Sequence, residues 1–116
     1  MKKIYYLSTC DTCRRILKEL DPSGEVKLQD IKEFPITEVE LEMLRELAGS
    51  YEALINKRAR LYQERGLKDQ ELLEEDYKKL LMEHYTFLKR PVILVEEEIF
   101  VGNSRKTVQA AGEALG

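Results

Sequence analysis

Tryptophan is absent from this chain of 116 residues, histidine occurs once and cysteine only twice. The scarcity of soft ligands matters first. A tetrahedral zinc site built on the two cysteines needs two more ligands, and the chain offers His84 alone, so no metal is expected. Long apolar runs are missing too: none approaches the roughly 18–20 residues of a membrane span. The opening MKKIYYLSTC carries the two lysines of a signal peptide. Its apolar stretch breaks at Ser8 and Thr9, short of the roughly 7–15 residues an h-region requires. A cytoplasmic location without membrane contact is the expectation. Nor is there an excess of positive charge. The 19 basic and 22 acidic residues leave a net charge of −3, which argues against a partner bound through phosphate neutralisation, so no direct nucleic-acid contact is expected.

No repeat, low-complexity tract or linker divides the sequence, and one domain spanning residues 1–116 is expected. Hydrophobic residues make up 43% and charged ones 35%, enough apolar material for a single core. Lys3-Ile4-Tyr5-Tyr6-Leu7 is β-branched and aromatic, as a first strand would be. A helix fits residues 12–20, with Cys13, Ile16, Leu17 and Leu20 on one face. Asp21-Pro22-Ser23-Gly24 has turn chemistry, and residues 26–31 alternate as a second strand, parallel to the first by the usual handedness.

A helical section of residues 37–88 follows. Thr37 and Glu40 have capping-box spacing, and Val39, Leu41, Leu44, Leu47 and Ala48 form a stripe closed by Gly49-Ser50. Further helical segments are expected over residues 51–55, 58–65 and 69–84. In the last, Leu73, Tyr77, Leu80, Leu81 and His84 share a face. Pro91 then opens a buried-looking strand, Val92-Ile93-Leu94-Val95. The glutamates at 96–98 turn the chain into Ile99-Phe100-Val101, and Ser104 caps a final helix with Val108, Ala111 and Leu115 inward. The order βαβ, helical insert, ββα makes an α/β protein with a four-stranded mixed sheet, the order of a thioredoxin-like fold with an insert before the third strand.

The two cysteines stand in one tetrapeptide, Cys10-Asp11-Thr12-Cys13. A disulfide between them would close almost no loop and remove little entropy from the unfolded chain, so a stabilising role is excluded. Cys10 falls just before a helix, where unpaired N–H groups and the positive end of the helix dipole favour a thiolate. Cys13 lies one turn in, in register with Ile16 and Leu17, and is expected to be buried. The reading is an attacking Cys10 and a resolving Cys13. Arg14 and Arg15 add positive charge, which Asp11 partly opposes.

Arg90-Pro91 is the second constellation. A proline opening this strand would be cis, with Arg90 presenting its guanidinium to an anion on Cys10; a strand-edge proline beside solvated Lys89 and Arg90 is the plainer alternative. The run Asn56-Lys57-Arg58-Ala59-Arg60 reads as a solvated face, and His84 as a helix-face residue.

Three blocks together, KIYYLSTCDTCRRILKEL, ALINKRARLYQERGL and EHYTFLKRPVILVEEEIFVGNS, resemble the arsenate reductase (ArsC)/Spx family over essentially the whole chain. The resemblance implies a nucleophilic cysteine at Cys10 and a functional arginine at Arg90, immediately before a cis-proline at Pro91. Thr12 and Arg14 join Pro91 as supporting residues. The arsenate reductases surround their oxyanion with three arginines. Of these only Arg90 matches, the other two positions being held by Glu52 and Asn103.

The CxxC pair is similar to that of Spx-type regulators, where it switches binding to the C-terminal domain of the RNA polymerase α subunit; the extended basic tail of those regulators is missing here. The expectation is therefore a thiol-dependent oxidoreductase with Cys10, Cys13 and Arg90 at its centre and no bound cofactor. Thioredoxin, or glutathione with glutaredoxin, would supply electrons, and a small oxyanion or a protein disulfide would be the substrate. A redox-switched regulator that binds the polymerase α subunit is the alternative, and a redox-inert binding domain the third.

Overall fold

The computed structural model describes all residues, 1–116. The chain forms two compact units, one of Met1–Pro35 with Arg90–Gly116 and the other of Ile36–Lys89.

The first unit holds the sheet. Strand β1 (Lys2–Tyr6) leads into helix α1 (Asp11–Leu20), and β2 (Lys27–Asp30) returns beside β1. After the second unit come β3 (Val92–Val95), β4 (Glu98–Val101) and the last helix, α5 (Arg105–Leu115). The sheet order is β2-β1-β3-β4. Strand β1 runs parallel to β2 and antiparallel to β3, with Ile4 opposite both Leu28 and Ile93. This is the four-stranded mixed sheet expected from the order of elements.

Strand β3 is buried at all four positions, which is why it reads as an unbroken apolar run rather than an alternating one. Ile4, Ile93, Val95, Val26 and Ala111 form a core against which Leu17 and Leu20 of α1 and Leu115 of α5 pack. The two helices approach closely near Gly112, where an added Cβ would meet a Leu20 methyl at 3.2 Å. Glu96 and Glu97 make the turn of the β3–β4 hairpin, and Val95 pairs with Glu98, so β4 begins one residue before the expected Ile99.

The second unit is helical. Helix α2 (Glu38–Ala48) opens with the capping box expected at Thr37: the Thr37 Oγ1 accepts from the Glu40 N–H at 3.2 Å, and the Glu40 carboxylate accepts from the Thr37 N–H at 3.1 Å. It ends at Gly49, whose φ of 98° suits glycine alone. Shorter elements follow: a 3₁₀ turn (Glu52–Leu54), α3 (Arg60–Glu64), and α4 (Glu74–Glu83). Ile55, Tyr62, Tyr77, Leu80 and Phe87 make this unit's core. An isolated antiparallel bridge, Ile55 to Leu88, ties its beginning to its end, with Lys89 N–H donating to Leu54 C=O at 2.8 Å.

Three expectations in this unit need correction. Val39 is 78% exposed; it lies about 200° around the helix from Leu41, so it leaves the buried Leu41–Leu44 face. The helix expected from residue 69 starts only at Glu74, because the Asp76 carboxylate folds back to accept the Leu73 N–H at 2.8 Å, while residues 67–69 form a separate 3₁₀ turn. Leu73, left outside, is exposed. His84 is not on the helix face. It follows α4, and its Nδ1 accepts from the Thr86 N–H at 3.0 Å, opening the 3₁₀ turn Tyr85–Phe87.

Truncating Ile93, at the centre of β3 and 1% exposed, should cost about 2–5 kcal/mol as Ile93→Ala. Leu28→Ala on the outer strand, half exposed, should stay within about 0.5 kcal/mol. Urea unfolding of both variants checks this; equal losses would contradict the core assigned here.

Candidate functional site

The loop of residues 7–9 carries the chain from β1 to Cys10, which takes extended backbone geometry as the N-cap of α1. Its N–H donates to Leu7 C=O at 3.0 Å, and its C=O accepts the first helical bond from Arg14 N–H at 3.1 Å. Cys10 is half-buried and Cys13 fully buried, and both are free thiols. The helix explains the difference: Cys13 and Ile16, three residues apart, share the face turned to the core. The exposed-and-sheltered arrangement expected from spacing is present.

The two thiols are shifted in opposite directions. At Cys10, partial burial works against ionisation. It is outweighed by donation from the Cys13 backbone N–H and thiol and by the charge and hydrogen bond of the Arg90 guanidinium, which together hold the thiol below its ordinary value. Cys10 makes no full side-chain capping bond to the helix, so the Cys13 amide acts on its sulfur as a weak donor. At Cys13, burial pushes the thiol up to about 11; the Leu7 backbone opposes this, and charge on Cys10 reinforces it. One thiol is prepared to ionise and its neighbour to stay protonated.

Arg90 reaches Cys10 because β3 pairs with β1. The Arg90–Pro91 peptide is cis, Pro91 is buried, and its C=O accepts from Gly102 N–H at 2.9 Å. Gly102, with φ of 96°, turns the chain from β4 toward Asn103. Thr12 is half-buried in the first turn of α1. Arg14 is committed to an ion pair with Asp11, so its charge is taken up locally, and Arg90 is the arginine acting on Cys10. Glu52 belongs to the second unit, where Lys57 Nζ holds its carboxylate at 2.6 Å and the Tyr77 hydroxyl donates to it at 3.3 Å. In the run 56–60, Lys57 pairs with Glu52 and Arg60 with Glu64, which makes it the solvated face expected.

Sequence reading missed one group. The Asp30 carboxylate accepts from the Ser8 hydroxyl at 2.6 Å, the Ser8 N–H at 3.3 Å and the Lys32 N–H at 3.2 Å. It therefore fixes the loop that presents Cys10. The Ser8 hydroxyl is the main cause holding Asp30 below the usual carboxylate range, with burial opposing. The available signal was positional: Asp30 ends the strand parallel to the one that runs into the loop, opposite Tyr6.

Comparison with known proteins gives the family and agrees with the fold. The family model described as "ArsC family" matches residues 5–111. A protein of Haemophilus influenzae is 32% identical over 117 residues, covering 96% of this chain and 98% of its own length. Among solved structures, one from Staphylococcus aureus COL superposes with a TM-score of 0.75 at 26% identity, covering 95% of this chain and 97% of that one. An arsenate reductase from Vibrio cholerae superposes with a TM-score of 0.73 at 21% identity over 93% and 92% of the two chains.

Two predictions follow from the electrostatics. Iodoacetamide should modify Cys10 with a midpoint below that of an ordinary thiol, while Cys13 should react only as the pH nears about 11. Arg90→Gln should move the Cys10 midpoint upward. Peptide mass mapping across pH checks the order, and faster labelling of Cys13 would contradict it. Asp30, its folded value depressed, contributes stability above its unfolded value of about 3.9. That contribution is lost as pH falls through the folded value. The gap in urea midpoint between wild type and Asp30→Asn should therefore be widest near neutrality and close in acid.

Proposed function

This chain belongs to the ArsC family, and on that premise we propose that it is a thiol–disulfide oxidoreductase with Cys10 as nucleophile and Cys13 as resolving thiol. The observation that carries the reading is the opposite shift of two thiols at the start of one helix, with Arg90 acting on the first. The Cys10 thiolate attacks one sulfur of a disulfide RSSR, forming a Cys10–S–S–R bond and releasing RS⁻. Cys13 then gives up its proton and attacks the Cys10 sulfur. That closes the Cys10–Cys13 disulfide and releases the second RS⁻. The protein dithiol is oxidised by two electrons and the substrate disulfide reduced by two. Thioredoxin, or glutathione with glutaredoxin, would restore the dithiol.

Arg90 stabilises the anionic sulfur at attack and release, where a guanidinium supplies a charge-assisted donor without giving up its own proton. Pro91, joined to Arg90 by a cis peptide, sets the backbone next to it, and Thr12 supports from the first turn of α1. A disulfide suits this site better than arsenate. Of the three arginine positions, only Arg90 is basic; Glu52 is an acid already held by Lys57, and Asn103 is neutral.

The test is trapping. With an excess of a small neutral disulfide, Cys13→Ser should accumulate one mixed adduct on Cys10, measured by intact mass, and Cys10→Ser should form none. Wild type should pass to the internal disulfide without retaining the adduct. In a coupled assay with thioredoxin and its reductase, wild type should consume NADPH in step with disulfide reduced. Internal disulfide formation without turnover, together with redox-dependent binding to the RNA polymerase α C-terminal domain, would replace the enzyme with a redox-switched regulator. Neither thiol reacting would overturn both.

A further inference from the structure

Helices α1 and α5 lie side by side in the sheet unit, and between them runs a groove of about 480 Å³ that the cysteine chemistry leaves unused. That volume is within the range of small-molecule sites, roughly 300–1,000 Å³. Its walls carry Arg15 and Glu19 from α1, Arg105 from α5, and Asn103 from the segment between β4 and α5; Ile16 and Val108 contribute apolar surface. The two guanidiniums, like that of Arg58 in the second unit, are held by no carboxylate of the chain. Arg14, Arg60 and Arg65 are each paired with a carboxylate, whereas neither Arg15 nor Arg105 is engaged by any group of the chain, and Glu19 in the same groove pairs with neither.

The chain also links the groove to the segment that carries Arg90. Arg90 acts on the Cys10 sulfur, Pro91 follows Arg90, and the Pro91 C=O binds the Gly102 N–H. Asn103, next along, lines the groove. From the other side, Arg15 is two residues beyond Cys13 on α1. Two arginines from different elements thus stand in one groove whose walls belong to the helix begun at Cys10 and to the segment bonded to Pro91.

We infer that this groove selects the substrate of the oxidoreductase: an organic disulfide whose body is apolar and whose ends carry carboxylates. The inference rests on the thiol–disulfide reading of Cys10 and adds the class of molecule reduced. An inorganic oxyanion has no use for a second basic pocket beyond Arg90 or for the apolar surface of the half-buried Val108. A carboxylate-bearing disulfide uses all three. Guanidinium pairs recognise carboxylates in two-pronged fashion, and Asn103 adds a neutral donor. The covalent step is the one given above, two protein thiols oxidised for one disulfide reduced.

Two chromogenic disulfides of opposite character test this. The dianionic probe is 5,5′-dithiobis(2-nitrobenzoate) and the uncharged one 4,4′-dithiodipyridine; each reports its released thiol by absorbance under stopped flow. The quantity read is the ratio of second-order rate constants, anionic over neutral. In Arg15→Gln/Arg105→Gln that ratio should fall about tenfold, the loss of roughly one charge-assisted hydrogen bond, while the neutral rate stays within about twofold. Glu19→Gln should raise the ratio. Lys106→Gln, an exposed charge on the same helix outside the groove, should leave it within about twofold. An unchanged ratio in the double variant, or an equal fall in Lys106→Gln, overturns the groove and leaves the thiol chemistry standing. If the neutral disulfide fails to react at Cys10, the oxidoreductase reading falls and the groove assignment falls with it.

Discussion

The antiparallel pairing of β1 with β3 is the contact on which this protein's chemistry depends. Ile4 opposite Ile93 and Tyr5 opposite Val92 join the strand that ends at the cysteine loop to the strand that begins after Arg90-Pro91. No local interaction could bring Cys10 and Arg90 together across such a sequence separation; the ladder does so, held by the apolar cluster around Ile4, Ile93 and Ala111. The helical unit of Ile36–Lys89 is inserted between the paired strands in sequence. Closing a loop of that size costs little more than closing a shorter one, since each doubling in length adds only about 0.6 kcal/mol. With a core of its own, it can be carried without weakening the pairing.

From that pairing the division between the thiols follows with few further requirements. The helix begins at Asp11, so Cys10 remains at its mouth and Cys13 turns inward with Ile16. Burial alone would raise both thiols. What separates them is that the cation and the backbone donors converge on the outer sulfur, while Cys13 is more desolvated and meets the charge on Cys10. Asp30 contributes differently. Its carboxylate collects two donors from Ser8, which limits the freedom of the short segment between β1 and Cys10. The edge strand β2, which contributes little burial, thus reaches the site through its last residue.

Much of this was legible in the sequence, and the parts that were not share a cause. Strand and helix order, the Thr37–Glu40 cap, the buried run at residues 92–95 and the inward Cys13 all follow from periodicity or from short-range hydrogen-bonding rules, and all are present. The misreadings lie where a side chain chose between local partners. Asp76 captured the Leu73 N–H and so started at Glu74 a helix that the apolar spacing would have begun at residue 69. His84 captured the Thr86 N–H and began a new turn. The opposition of Asp11 to Arg14, by contrast, was readable from their spacing and is present as an ion pair. In the site, Cys10, Cys13 and Arg90 could be read from spacing and resemblance. The Ser8–Asp30 contact spans parallel strands and has no local pattern to betray it.

The net charge of −3 is a poor guide to what the cysteine site attracts. Acidic and basic residues balance in the sheet unit, and the negative excess falls on residues 36–89. What a ligand meets near Cys10 depends on which charges are already paired. Asp11 and Arg14 cancel, as do Glu52 and Lys57 in the second unit. Arg90 is turned to the nucleophile, and Arg15 and Arg105 stand unengaged on the walls of the α1–α5 groove. The arginines of this unit thus divide into one paired along its helix, one acting on the Cys10 sulfur and two in the groove, where Glu19 accompanies them. Net charge averages over these differences, whereas the pairing of each side chain decides which charges remain for a ligand.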